Sequence, residues 1–326
     1  MSQFTGGLCR TCRISKVLIW RLRQWDTTSQ ASLHPWSHKE LLPRLSLRGV
    51  KREAISFLRP DSGLDDNIVM WLPKMRVGNM ATKYYVGCSG WHYEHWRGLY
   101  YPQELARPKW LSFYAQQFDT VELNNSFYHL PSEKAFTRWR ESTPENFIFA
   151  VKVSRFITHI KRLRNLGTAV EDFLSRAGFL KEKLGPLLYQ LPPSMKRNDE
   201  LLHNFLSSLP PKYQHVIEFR HESWIGEAVY DILRRHNVGL CVFDMPGFSC
   251  PLVATSDFAY VRFHGSEGLY SSCYSDEELS QWAQKIARLD QSVKASYIYF
   301  NNDAEAFAVQ NATTLGNFLQ SLGSKS

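Results

Sequence analysis

The sequence predicts a TIM-barrel-like (β/α)8 fold, a closed barrel of eight parallel strands with helices outside, preceded by an N-terminal extension of doubtful order. Two observations carry this. From Lys83 onward, short apolar runs of strand character alternate with helix-like segments, eight times in all, over about 240 residues against roughly 250 for this architecture. Nearly every one of those runs also ends in an ionisable or amide side chain, the place where such barrels carry their functional groups. An open, doubly wound sheet is the competing architecture, but no G-x-G-x-x-G or phosphate-loop motif supports it.

Each element has its own warrant. Tyr84–Cys88 is the first strand, followed by a loop rich in Gly and aromatic residues, and Pro108–Phe118 has helical spacing. Thr120–Asn124 is the second strand, and Pro131–Glu141 is a helix with Ser132 as its N-cap. Phe147–Val153 is the third strand. Thr168–Leu184 reads as a helix stopped by Gly185. Pro186–Gln190 is the fourth strand, ended by Pro192 and Pro193, and Leu201–Leu209 a helix. Val216–Arg220 is the fifth strand, with Val216, Glu218 and Arg220 on one face and Ile217, Phe219 and His221 on the other. After the helix Ala228–His236 come the strands Gly239–Asp244 and Ala259–His264, the helix Asp276–Leu289, the strand Ala295–Asn301 and the helix Ala304–Leu322.

Charge divides the chain unequally. Of the net +8, residues 1–79 hold 13 Lys+Arg against 6 Asp+Glu, which leaves 26 against 25 for the rest. The basicity therefore belongs to the N-terminal quarter and says little about the partners of the main domain, residues 80–326; a nucleic-acid partner stays possible but gains no support from that domain's charge. Residues 1–79 are rich in Arg and Ser and poor in acids, compatible with a targeting segment, a basic arm, a small subdomain or an upstream start, with Met80 a natural beginning. Cys9 and Cys12 form a C-x-x-C without a second pair, weak grounds for a metal or redox site. No apolar run approaches a membrane span. The expected location is the cytoplasm, with organelle targeting by residues 1–79 left open.

Candidate site residues follow from the strand ends. Glu122 and Asn124, Lys152, Gln190, Glu218 and Arg220, Asp244, Arg262 and His264, and Asn301, Asn302 and Asp303 fall there in strand order. His221, Trp91 and Tyr128 lie in the loops beyond. Glu218, Glu122 and Asp244 can supply acid, base or nucleophile, with His264 polarising a substrate. Lys152, Arg220 and Arg262 can bind an anion or hold carboxylates ionised. Carboxylates with His221 or His264 can also hold a divalent metal and activate water. Glu218, Arg220 and Arg262 can equally be a salt-bridge network, and Asn301 to Asp303 a turn and helix cap. No H-E-x-x-H or G-x-S-x-G motif is present, which argues against a zincin and a serine hydrolase.

A family resemblance runs through the same residues. Val86-Gly-Cys-Ser-Gly-Trp-His-Tyr93, Thr120-Val-Glu-Leu-Asn-Asn-Ser-Phe-Tyr128, Phe149-Ala-Val-Lys-Val153 and Lys183-Leu-Gly-Pro-Leu-Leu-Tyr-Gln-Leu-Pro-Pro193 are followed in order by three further motifs. These are Ile217-Glu-Phe-Arg-His-Glu-Ser-Trp224, Tyr260-Val-Arg-Phe-His-Gly265 and Tyr299-Phe-Asn-Asn-Asp303. Together they resemble the YecE-like family, domain of unknown function 72, over about residues 83–322. Cys88 departs from the family's usual hydroxyl residue. The resemblance implies a TIM-barrel-like fold and no particular reaction. The residues themselves suggest a hydrolase or lyase acting on an anionic, phosphate-bearing ligand at the C-terminal mouth, one form being a metal-dependent phosphodiesterase on nucleic acid. The alternative is a non-catalytic barrel that binds a metabolite or partner.

Overall fold

The computed structural model describes residues 82–289 and 293–323. The expectations for residues 1–79, including the Cys9/Cys12 pair, lie outside these. Eight strands, labelled here in chain order, build the barrel: β1 (Lys83–Cys88), β2 (Thr120–Leu123), β3 (Ile148–Lys152), β4 (Leu184–Gln190), β5 (His215–Glu218), β6 (Gly239–Met245), β7 (Phe258–Phe263) and β8 (Ala295–Phe300). Neighbours along the path β1-β8-β7-β6-β5-β4-β3-β2 pair in parallel, which brings β1 and β2 together at the seam.

Tyr114 closes that seam. Its hydroxyl accepts from the Cys88 backbone N–H (2.8 Å) and donates to the Thr120 carbonyl (3.0 Å), standing in for ladder bonds. The strands approach closely because Gly87 has no side chain. A Cβ there would lie 2.3 Å from the Thr120 oxygen.

Strand alternation sorts side chains into two cores. Ala150, Leu188, Val216, Cys241, Phe258, Tyr260, Tyr297 and Tyr299 fill the barrel interior, with Tyr85 stacked on Tyr297. The outward residues, among them Val121, Leu187, Ile217, Leu240, Val242, Val261 and Ile298, meet the helical layer. There the helix Phe307–Gly323 packs on β1 and on the helix Asp276–Leu289. A barrel whose strands are covered on both faces reads as near-continuous apolar runs.

Several boundaries differ from expectation. Ser132 does cap the helix Glu133–Glu141, accepting from Ala135 N. The expected helix 168–184, however, is α-helical only over Ala169–Ala177. It tightens to 3-10 turns over Gly178–Lys183, where Lys181 adopts φ +52°. Gly185 does not stop a helix; it lies inside β4, tight against Ile148 and Phe149 where a Cβ would clash. The buried Lys183 ammonium explains the irregular approach. It donates to Arg140 O (2.6 Å) and Thr143 O (2.9 Å), satisfying carbonyls at the end of Glu133–Glu141. An unexpected two-residue strand, Phe248–Ser249, folds back antiparallel on the end of β6.

Candidate functional site

At the C-terminal end of the barrel the apolar interior gives way to a layer of charge. Arg262, inward on β7 and 1% exposed, lies between two carboxylates that are 0% exposed. It donates through Nη2 to Glu122 Oε1 (2.8 Å) and through Nη1 to Glu218 Oε2 (2.7 Å). The Tyr260 hydroxyl, one inward position below Arg262, donates to the other Glu122 oxygen (2.7 Å). Arg220 donates to Glu218 Oε1 and lies over the Phe243 ring. Each Glu oxygen therefore has a donor, as buried charge requires.

The chain of contacts runs on through Arg220 Nη2 to His264 Nε2 (2.9 Å), and from His264 Nδ1 to the Asn301 carboxamide (3.2 Å). Arginine only donates, so Nε2 is the acceptor and a neutral ring carries its proton on Nδ1; the Asn301 amide, whose Nδ2 lies nearest, must then be turned to present its oxygen to that N–H. Burial, reinforced by Arg262, holds His264 well below the usual imidazole range. Burial alone would raise the Glu218 carboxyl, but the guanidiniums of Arg220 and Arg262 pull it below the usual carboxylate range. A carboxylate so stabilised accepts protons poorly at neutral pH, which argues against Glu218 as the base.

Lys152, at the end of β3, stands apart within this layer. Its Nζ lies 4.5 Å from the centre of the Phe127 ring, and no carboxylate of the described residues comes within ion-pair distance. The Ser126 hydroxyl positions the ring: it donates to Lys152 O (2.7 Å) and fastens the turn Asn125–Tyr128 to β3. Burial, then the charge of Arg262, lowers Lys152 from 10.5 to about 8. Gln190 pairs in register with Glu218 and shares the inward face of Leu188. Asn124 donates to Ser89 O (3.2 Å) at the β1–β2 seam. Partly exposed Lys152, Arg220, Gln190, Asn124 and Asn301 thus form the accessible surface above the buried Glu122, Glu218, Arg262 and His264.

Other sequence candidates fall elsewhere. Asp244 belongs to the outward face with Leu240 and Val242, and its carboxyl bonds to Tyr274 in the outer layer, where burial raises it. His221 turns away from Glu218 and caps the next turn, its Nδ1 accepting from Ser223 N (3.1 Å). Asn302 is buried among the loops, donating to Ser272 O (2.8 Å) and Asn311 Oδ1 (2.9 Å). Asp303 ties down the turn Glu94–Trp96, its carbonyl accepting from Trp96 Nε1 (2.8 Å) and its carboxylate 3.3 Å from His95. Tyr128 is exposed at the rim, edge-on to Phe127. Trp91 packs edge-on against Trp139 in a neighbouring cleft of about 590 Å³, shared with Ser89, Tyr93, Leu111 and Asn124. Sequence reasoning passed over Tyr260 and Phe127. Tyr260 was visible by alternation, two residues before Arg262. Phe127 carried no signal, because its role depends on how the turn after β2 folds back.

A divalent metal finds no ready donor set. Among the described residues no three His, Cys, Asp or Glu side chains converge as ligands. The two carboxylates that do converge are taken up by Arg262.

Comparison with known proteins sets this barrel in a family. The family model described as "Protein of unknown function DUF72" matches residues 85–325. The chain belongs to the DUF72 family. A DUF72 family protein of Thermotoga maritima is similar in structure, with a TM-score of 0.67 and 34% identity over 73% of this chain and 99% of that one. The UPF0759 protein YecE of Escherichia coli K12 is 28% identical over 246 residues, 65% of this chain and 89% of that protein. The UPF0759 protein YunF of Bacillus subtilis is 27% identical over 260 residues, 70% and 91% of the two. A DUF72 protein of Enterococcus faecalis, at 20% identity and a TM-score of 0.62, shares the fold. Among the described residues of this DUF72 chain no helix is long and apolar enough to cross a membrane.

Proposed function

We propose that the C-terminal mouth of the barrel binds a small anionic ligand and carries out proton-transfer chemistry on it, as a hydrolase or lyase. The observation that carries this reading is a surplus of positive charge at the mouth. Among the described residues the carboxylates facing Lys152, Arg220 and Arg262 are Glu122 and Glu218, and a ligand of opposite charge would complete the set. Arg220 and Lys152 are the groups that reach solvent, so they would meet the ligand, Arg220 through a planar fork suited to carboxylate or phosphate. A base works best with a pKa near the working pH; Lys152, lowered to about 8, meets that requirement better than Glu218. His264 would position Arg220 rather than exchange protons.

A metal-dependent phosphodiesterase is not supported, since the carboxylates it needs are engaged by arginine. The observation favouring a non-catalytic, ligand-sensing barrel is that same engagement, which leaves no free carboxylate in the layer. Thermal melting of the full chain with inorganic phosphate, against chloride at equal ionic strength, tests the reading. A phosphate-specific rise in Tm that Lys152→Met abolishes supports an anion site at the mouth. Equal response of both proteins would show that any phosphate binds elsewhere. Turnover of anionic esters or hydroxy acids by the native chain and not by Lys152→Met would then separate enzyme from sensor.

A further inference from the structure

We infer that Lys152 is a carbonyl-reactive amine, and that the ligand of the barrel mouth is a small aldehyde or ketone bearing a carboxylate or phosphate. The inference rests on the reading of the mouth as an anion site and adds the reacting bond. Its foundation is the setting of Lys152 Nζ. The nitrogen lies against the Phe127 ring (4.5 Å), no carboxylate of the described residues is within ion-pair reach, and the side chain points into the mouth at the end of β3.

The neighbours on every side explain why the neutral amine is accessible. Arg262 and Arg220 repel the ammonium, while Glu218 and Glu122, which attract it, are already committed to those guanidiniums. Across the Phe127 ring stands His159, itself lowered by burial and by Lys152, Arg155 and Arg162. A lysine desolvated on an apolar surface beside other cations is the setting that exposes its lone pair as a nucleophile. Arg220 is well placed to hold the anionic group. Its side chain is 11% exposed, and among the described residues its Nη1 donates to the sulfur of Met245, a weak acceptor that a carboxylate or phosphate oxygen can displace.

The step balances without a further reagent. The Nζ lone pair forms the C–N bond as the carbonyl π bond opens onto oxygen. The ammonium first releases one proton to solvent at the mouth to free that lone pair; after addition the C–O bond breaks, and the oxygen leaves as water with one proton from the nitrogen and the one returned by solvent. The product is a protonated imine, whose positive charge remains among the same groups.

The test uses the full chain incubated with pyruvate, glyoxylate or glyceraldehyde 3-phosphate in turn, then reduced with sodium borohydride and mapped by peptide mass spectrometry. Melting curves with lactate, which has the carboxylate but not the ketone, run in parallel. The expected result is a reduced adduct on Lys152 with at least one of the three, well above the labelling of exposed lysines. In Lys152→Arg that adduct vanishes while the exposed lysines label as before. If none of the three marks Lys152 above the exposed lysines, the inference is overturned. Should lactate still raise Tm through Lys152 or Arg220, the anion-site reading survives alone; with neither response, both fall.

Discussion

Replacing Arg262 by Met isolates the interaction that organises the mouth. The guanidinium holds two fully buried carboxylates at 2.7 and 2.8 Å, and Met keeps the apolar stem while removing the charge. The two acids are affected unequally. Glu218 retains Arg220, whereas Glu122 retains only the Tyr260 hydroxyl, so the loss corresponds to one uncompensated buried charge rather than two. Breaking a buried pair from one side costs about 3–5 kcal/mol. Arg262 Nε has no acceptor, so the stabilisation lost resides in the two carboxylate bonds. Adding Glu122→Gln to Arg262→Met removes the orphaned charge and should recover part of the loss, a coupling of about 1–3 kcal/mol. Urea unfolding followed by tryptophan fluorescence measures both, provided the slope with denaturant is unchanged. A loss below about 1 kcal/mol, the scale of exposed ion pairs, or no coupling between the two sites, would refute the buried triad.

Three further outcomes follow from the same geometry. Because Lys152 is lowered in the folded state, the unfolded chain binds more protons between about pH 8 and 10.5, so its contribution to stability rises across that window. Lys152→Met should be the more stable protein at neutral pH and show a flatter profile above pH 8, read from urea midpoints. Glu218 is lowered instead, so its contribution is present above pH 4.5 and fades as the pH falls through the folded value; Glu218→Gln should weaken the protein at pH 7 and make its acid slope shallower. Tyr114→Phe leaves the Cys88 amide and the Thr120 carbonyl unpaired at the seam. It should cost about 1–3 kcal/mol and speed hydrogen exchange at Cys88, and a neutral outcome would mean that β1 and β2 pair without the hydroxyl.

Much of this arrangement was legible in the sequence, and the limits have a physical form. The barrel could be read because strand and helix alternate with their own periods, and because Glu122, Glu218/Arg220 and Arg262/His264 share faces by the two-residue repeat. His221 and Asn302 were also candidates for the mouth, although the repeat sets His221 on the face opposite Glu218; the structure uses His221 as a cap and Asn302 as a loop anchor instead. Asp244 was not assignable: Leu240 and Val242 on one side of β6 and Cys241 and Phe243 on the other are all apolar, so nothing marks the inward face. The helix end at Ala177 depends on Lys183 reaching carbonyls of a different helix, a tertiary demand that overrides local signals. Which carboxylate remains free is likewise a matter of three-dimensional pairing; the sequence offered Glu218 as a base, and two arginines close it off.

The most direct test of the account is the ionisation of Lys152 itself, followed by NMR of the full chain with isotope-labelled lysine side chains. The account predicts one lysine titrating near 8 rather than 10.5, absent from Lys152→Arg and moving upward when inorganic phosphate is added, because a bound anion favours the ammonium. A Lys152 that titrates with the exposed lysines, or ignores phosphate, would contradict a surplus of positive charge at the mouth.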